Sequence, residues 1–247
     1  MQTDSNHRRF NKESNSRIPD LSKFLIPRSQ QRKFLIKFTI MTILGWAVGG
    51  IASLTLEKTL LHGFSPTVGQ QLTWYKTERY LSNGLFAVIF AADQAFVMHR
   101  YISGWLWALA TSIGWLIANG ISAAWISHIS SMVSTLNKNL SPHEIFFFGI
   151  LSTCAYIISG IWLGFFQWLI LRRYTVGSWW WNFLPSFSFS LISISIGFLS
   201  LIQQFIPLVY RDQILYFFGQ GLTAVILGVI PGIGLCTLKK NSSNQKN

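Results

Sequence analysis

Few residues of this chain combine a polar group with an apolar setting. Asp93 is a carboxylate inside a hydrophobic run and is followed directly by Gln94, while Gln167 and Asn119 are amides in two other runs. A carboxylate among apolar residues pairs with a cation, keeps its proton in a hydrogen bond, or takes up an ion or proton. Left bare inside a membrane it would cost at least about 2.5 kcal/mol. Buried amides likewise need partners. Asp93, Gln94, Gln167 and Asn119 therefore make up a candidate intramembrane polar site, and Gln94 and Gln167 are candidate partners for each other across two helices. Arg100 lies about 10 Å from Asp93 at 1.5 Å per residue, within reach of a snorkelling guanidinium.

Conventional catalytic chemistry has less to build on. The five histidines fall in a polar tail (His7), near the ends of apolar runs (His62, His99, His128) or between runs (His143). None has the His-x3-His or Glu-x2-His spacing that brings metal ligands to one helix face. No phosphate-cradling glycine loop and no strained nucleophile turn is present. Glu57, Glu78, Glu144 and Asp212 are scattered between the runs. The expectation is a chain that is not an enzyme, with no catalytic, cofactor-binding or metal residues and no cofactor.

The elements that carry these residues are apolar and long. Half of the 247 residues are hydrophobic and only 11% are charged, against about 25% charged in a soluble domain. Six runs stand out, over 38–56, 82–98, 105–129, 145–171, within 174–210 and within 213–238. Crossing a bilayer takes roughly 20 apolar residues as a helix but only 9–11 alternating residues as a strand. The runs fit helices. The fold class expected is all-α: a polytopic transmembrane helical bundle of six spans. In the fifth run Trp179, Trp180 and Trp181 are expected as an interfacial anchor, with Pro185 tolerated in the first turns of the helix. Cys154 and Cys236 fall at depths roughly 20 Å apart, beyond the 7 Å or so that a disulfide spans, so both are expected as free, buried thiols.

The net charge of +12 would suit nucleic acid, but its distribution does not. Nine of the 20 Lys and Arg lie in the first 37 residues, and the rest sit almost wholly between apolar runs. If both termini are cytoplasmic, 15 of the 20 lie inside and five outside, as the positive-inside rule requires. The domain reading is a disordered basic cytoplasmic tail over 1–33, a six-span bundle over 34–240 and a short cytoplasmic tail over 241–247. Residues 57–81 and 130–144 read as the longer outside connections, with Trp74, Tyr75 and Tyr80 at the interface.

The chain also repeats itself. At an offset of 73, Gln94 falls on Gln167, Arg100 on Arg173, Tyr101 on Tyr174, Gly104 on Gly177 and Trp107 on Trp180. Upstream, Ala87 and Ala91 fall on Gly160 and Gly164. Spans two and three thus read as a copy of spans four and five, a parallel two-helix internal repeat. The small-x3-small core recurs as Gly45 and Gly49 in span one and as Gly228 and Gly232 in span six; such pairs let helix backbones approach closely in lipid. Ser186, Ser190, Ser193, Gly197 and Ser200 add a small-residue face to span five.

The segments GIWLGFFQWLILRRYTVGSWWW (160–181) and FAADQAFVMHRYISGWLW (90–107) resemble a motif of uncharacterised multi-pass membrane proteins from cyanobacteria and related bacteria, and the glycine-rich last span is similar to the ends of those proteins. The resemblance implies a bacterial inner (plasma) or thylakoid membrane. It carries no activity and no site residues. The expected partners are the lipid bilayer and a membrane-protein partner or second copy of the chain, with no nucleic acid. The expected function is that of a scaffold, assembly factor or accessory subunit acting through helix packing. The alternative is a small-solute or ion transporter or channel with its polar site around Asp93.

Overall fold

The structure is a computed structural model that describes residues 24–63, 71–135 and 141–241. It contains six helices long and apolar enough to cross a membrane: α1 (Gln31–Gly63), α2 (Gln71–Met98), α3 (Gly104–Thr135), α4 (Pro142–Leu171), α5 (Leu184–Ile202) and α6 (Arg211–Thr237). The chain is therefore a multi-pass, all-α membrane protein. Two short strands, β1 (Thr175–Val176) and β2 (Lys239–Lys240), complete it.

Several helices overrun their apolar cores. Most of 57–81 is helical, because α1 continues to Gly63 and α2 starts at Gln71; Trp74 and Tyr75 have side chains outside the described set, and Tyr80 is exposed. Likewise α3 reaches Thr135, and α4 starts behind a capping box in which Ser141 and Glu144 satisfy each other's backbone N–H groups. Those bonds, first the one from the Ser141 backbone, hold the Glu144 carboxyl below its usual range. The serine-alternating start of α5 is helical, with Pro185 in its first turn where no N–H is needed.

The helices form a ring. Each packs extensively on its neighbours in the chain, and α6 closes the circle on α1. Three of the six seams share one construction. In α4, a Cβ on Gly160 would come within 2.8 Å of the Ser186 backbone of α5. In α6, a Cβ on Gly228 would lie 2.9 Å from Thr39 Cα of α1. In α2, Ala87 approaches α3 closely enough for Ser112 Oγ to donate to its carbonyl at 3.3 Å. One turn on, Gly164 meets the Asn182 carbonyl and Gly232 meets Leu35 Cδ1. The repeat thus has a third copy, α6 with α1, split by the chain termini.

Where the other two copies have a covalent turn, this third one has a backbone clasp. Leu25 N–H donates to the Leu238 carbonyl at 2.8 Å, Phe24 bridges Lys239, β2 pairs antiparallel with β1, and Asn241 N–H donates to the Tyr174 carbonyl. Segment 24–33, expected within the disordered tail, is folded: Leu25 and Ile26 are buried beneath the clasp and α1 begins at Gln31. The tail reading for 1–23 and 242–247 lies outside the described residues. The turns of the two covalent copies differ. Gly177 takes a left-handed φ of 70°, which glycine adopts without steric cost, whereas its counterpart Gly104 opens α3 with Ala95 and His99 within about 3 Å of where a Cβ would sit.

Packing is uneven along the ring axis. At the end where residues 24–25 meet residues 238–239, Phe34, Phe38, Trp107, Trp181, Leu171 and Leu235 are buried in one apolar cluster. Trp181 belongs to this core rather than to an interfacial anchor, and only Trp179 of the three tryptophans is exposed. A second cluster of Phe90, Trp115, Leu163 and Phe189, with Trp46 and Tyr156 against it, fills the middle. Toward the far end α4, α5 and α6 expose Phe146, Phe198, Leu201 and Phe217. Of the serine face, Ser186 packs on Gly160, while Gly197 has no neighbour a Cβ would meet and Ser200 is exposed. Cys154 and Cys236 are free thiols, but Cys154 is exposed and Cys236 only half-buried, because α4 turns its Cys154 face outward.

Candidate functional site

Gln167 shows what the repeated amide does. It lies seven residues after Gly160, two turns along the same face of α4, and is buried against α3 and the turn 178–183 that precedes α5. Its Oε1 accepts from Trp181 Nε1 at 3.0 Å, and its Nε2 donates to Thr111 Oγ1 at 3.1 Å. One amide thereby ties three segments together, with neutral partners for both of its ends.

The same arrangement in α2 and α3 places Gln94 and Trp107; the counterpart of Trp107 is buried Trp181, at an offset of 74, and not the half-buried Trp180 on which the ungapped alignment sets it. Both are buried, and Gln94 Oε1 and Trp107 Nε1 have no hydrogen-bond partner among the described residues. The indoles of Trp107 and Trp181 meet edge to face with centroids 6.1 Å apart. In the third copy, α6 with α1, the corresponding residues are Leu235 and Phe34, also buried. The polar pair has been replaced at both positions by apolar residues, which removes donor and acceptor together. Gln94 and Gln167 do not bond each other, since the Gln167 amide is already engaged by Thr111 and Trp181.

Asp93 points away from this layer into the seam between α1 and α2. It sits on Gly45, where a Cβ would lie 2.7 Å from Asp93 Oδ2. The same seam continues through Phe86 on Gly49 and Ser53 Oγ to Ser82 Oγ at 3.0 Å. The Asp93 side chain is half-buried, beside exposed Ala92 and Phe96. The Arg100 pairing expected from helical rise is not formed: Arg100 is exposed in the α2–α3 turn, beyond the end of Asp93's helix. The cation on the membrane-facing edge of this seam is Lys37, whose Nζ lies 5.1 Å from the centre of the Phe96 ring.

Asn119 is not part of either arrangement. It lies 15 residues beyond the start of α3, whereas Asp93 is five residues from the end of α2, so the two differ in height by about 15 Å. Asn119 lines a separate cavity nearer the far end. The candidate set thus divides three ways: Gln94 and Gln167 in the packed layer, Asp93 in a seam, Asn119 in a cavity.

Glu78 was not among the candidates. It falls in α2, on the α1-facing seam with Ser82, Phe86 and Asp93, and both carboxylate oxygens are buried with no hydrogen-bond partner among the described residues. The signal was its spacing, four residues before Ser82 and fifteen before Asp93, on one helical face. Placing the start of the span at residue 82 hid it.

The chemistry available here is that of hydrogen-bonded staples and two membrane carboxylates, Asp93 and Glu78. Among the described residues no group of three His, Cys, Asp or Glu side chains could hold a metal ion. The staple makes a direct prediction. Gln167→Leu strands the Trp181 N–H and should cost about 1–3 kcal/mol. Adding Trp181→Phe reproduces the Phe34–Leu235 arrangement, so thermal unfolding of the double variant in detergent should show a loss smaller than the sum of the single losses. Simple additivity would contradict the pairing. Comparison with protein-family models, curated proteins and solved structures finds no match.

Proposed function

We propose that the chain is a non-enzymatic membrane protein that works by helix packing, as a scaffold, assembly factor or accessory subunit. The observation that carries this reading is the filling of the ring at the end closed by the clasp of Leu25 on Leu238. Trp107, Trp181, Phe34 and Leu235 close the centre, and the Gln167 amide is engaged in holding helices together. At that level the Gln167 amide joins segments rather than lining a route. A half-buried carboxylate with no ion pair among the described residues, on the α1–α2 seam, then gives a partner helix a point of attachment. In lipid such a group is best satisfied by a donor or cation from a neighbour.

The transporter or channel alternative rests on Asp93 alone, because Gln94, Gln167 and Asn119 do not converge on it. The two readings separate in one experiment. Affinity purification from native membranes in mild detergent should recover a membrane protein in stoichiometric amount, and Asp93→Leu should release it while leaving the chain folded. If the chain purifies alone and catalyses a solute flux that Asp93→Asn abolishes, the scaffold reading fails and the transport reading replaces it.

We further propose that both termini face the cytoplasm of a bacterial inner or thylakoid membrane, from the 15-to-five division of Lys and Arg. Exposed residues at opposite ends test it. In a chain freed of Cys154 and Cys236, Leu208→Cys should react with an impermeant thiol reagent applied outside intact cells, and Trp179→Cys should not; the reverse pattern inverts the topology.

A further inference from the structure

We propose that the cavity between α2, α3 and α4 near the far end of the bundle binds a phosphate oxyanion, held in the first place on a lipid headgroup. The cavity has a volume of about 480 Å³, within the roughly 300–1,000 Å³ of small-molecule sites. Arg79 and Asn83 reach it from α2, Asn119 and Ser122 from α3, and Tyr156 from α4.

These side chains differ from many hydroxyl residues of the bundle in what they touch. Thr55, Thr153, Ser193 and Thr223 donate back to a carbonyl four residues earlier on their own helices. Arg79, Asn83, Asn119, Ser122 and Tyr156 make no side-chain hydrogen bond or ion pair to another described residue, and they converge on one space. Among the described residues no carboxylate lines that space. Glu78, next to Arg79 in sequence, is buried and does not line the cavity. A cavity with one guanidinium, two free amides and four hydroxyls (Tyr80, Ser122, Ser127 and Tyr156), and no competing anion among the described residues, is complementary to phosphate, the group that arginine recognises with paired N–H donors.

Height in the membrane favours a lipid as the source. Arg79 lies 19 residues before the end of α2, about 28 Å along the helix, close to the full thickness of a hydrocarbon core of about 30 Å. Asn83 is one turn deeper, at the level of Asn119. The cation thus stands at headgroup height, and the neutral donors below it stand where glycerol ester carbonyls lie. Leu116 adds an apolar wall beside them against which an acyl chain packs.

The test is thermal unfolding of the purified full chain in detergent with three probes: dioleoylphosphatidylglycerol, dioleoylglycerol and inorganic phosphate. A ligand bound only to the folded state raises the unfolding midpoint. Phosphatidylglycerol should raise it and dioleoylglycerol should not. Arg79→Gln and Asn119→Leu should each weaken the apparent affinity tenfold or more, while Arg211→Gln, a cation of the same end outside the cavity, should leave it unchanged. Should Arg79→Gln fold poorly, Asn83→Leu takes its place, and native mass spectrometry counts the bound lipid directly. If inorganic phosphate alone gives the same Arg79-dependent shift, the oxyanion site stands and its source is a soluble phosphate. No shift with either phosphate probe, an equal shift with dioleoylglycerol, or shifts indifferent to the Arg79, Asn83 and Asn119 variants would overturn the proposal.

Discussion

The structure depends on backbones coming very close at one point in each two-helix unit. Between helices in lipid there is no water to expel, so association relies on dispersion contacts and on the few hydrogen bonds available. Both fall off within an ångström or two. Gly160 against Ser186, Gly228 against Thr39 and Ala87 against Ser112 supply the closeness. In the α4–α5 unit the aromatic residue five positions before Ser186, Trp181, then reaches Gln167, seven positions after Gly160. That geometry makes Trp181 to Gln167 a hydrogen bond, and the corresponding Phe34 and Leu235 are both buried in the same apolar core. Three such units, set side by side, close a ring whose last seam the clasp of Leu25 on Leu238 secures without a covalent turn.

The two ends of the ring have different consequences for function. At the clasp end every helix contributes to one apolar cluster, and the turns that bear Arg100, Arg172 and Arg173 surround it. At the far end α4, α5 and α6 show large aromatic side chains outward, and the interior opens into cavities. One is lined by Trp46, Tyr156, Ser193 and Gln220, with Trp46 Nε1 donating to Gln220 Oε1 at 2.9 Å; the other holds Arg79 and Asn119. A body closed at one face and open at the other suits a protein that holds a partner or lipid more than one that conducts a solute straight through.

Much of this was legible in the sequence because membrane helices obey strong constraints. Runs of apolar residues gave six spans, and the offset of 73 between Gln94 and Gln167 identified two of the three units. The third was half visible in Gly228 and Gly232, but its other half precedes it in the chain, so a search for consecutive copies could not join them. Gln167 was recognised as buried, yet its partners Trp181 and Thr111 were not, since a tryptophan in a Trp-Trp-Trp run reads as an interfacial anchor until packing shows which of the three faces inward. Glu78 was lost because hydropathy marks where a span becomes apolar, not where its helix starts. Asp93 and Arg100 were near in sequence, but the helix ends between them and the turn carries Arg100 outward. Spacing along a helix fixes height and face; it does not fix which neighbouring helix stands on that face.

The closing of α6 on α1 is the step on which the ring, the third unit and the clasp all rest, and it is open to a direct measurement. Thr39 Cβ lies 3.3 Å from the position of a Cβ on Gly228, close to the separation of about 3.5–4.5 Å in a disulfide. With Cys154 and Cys236 replaced, the Thr39→Cys, Gly228→Cys variant should form an intramolecular cross-link under mild oxidation in membranes, while a Thr55→Cys, Gly228→Cys pair should not. Two thiols at 39 and 228 that both remain free to label, with no cross-link, would contradict the closed ring.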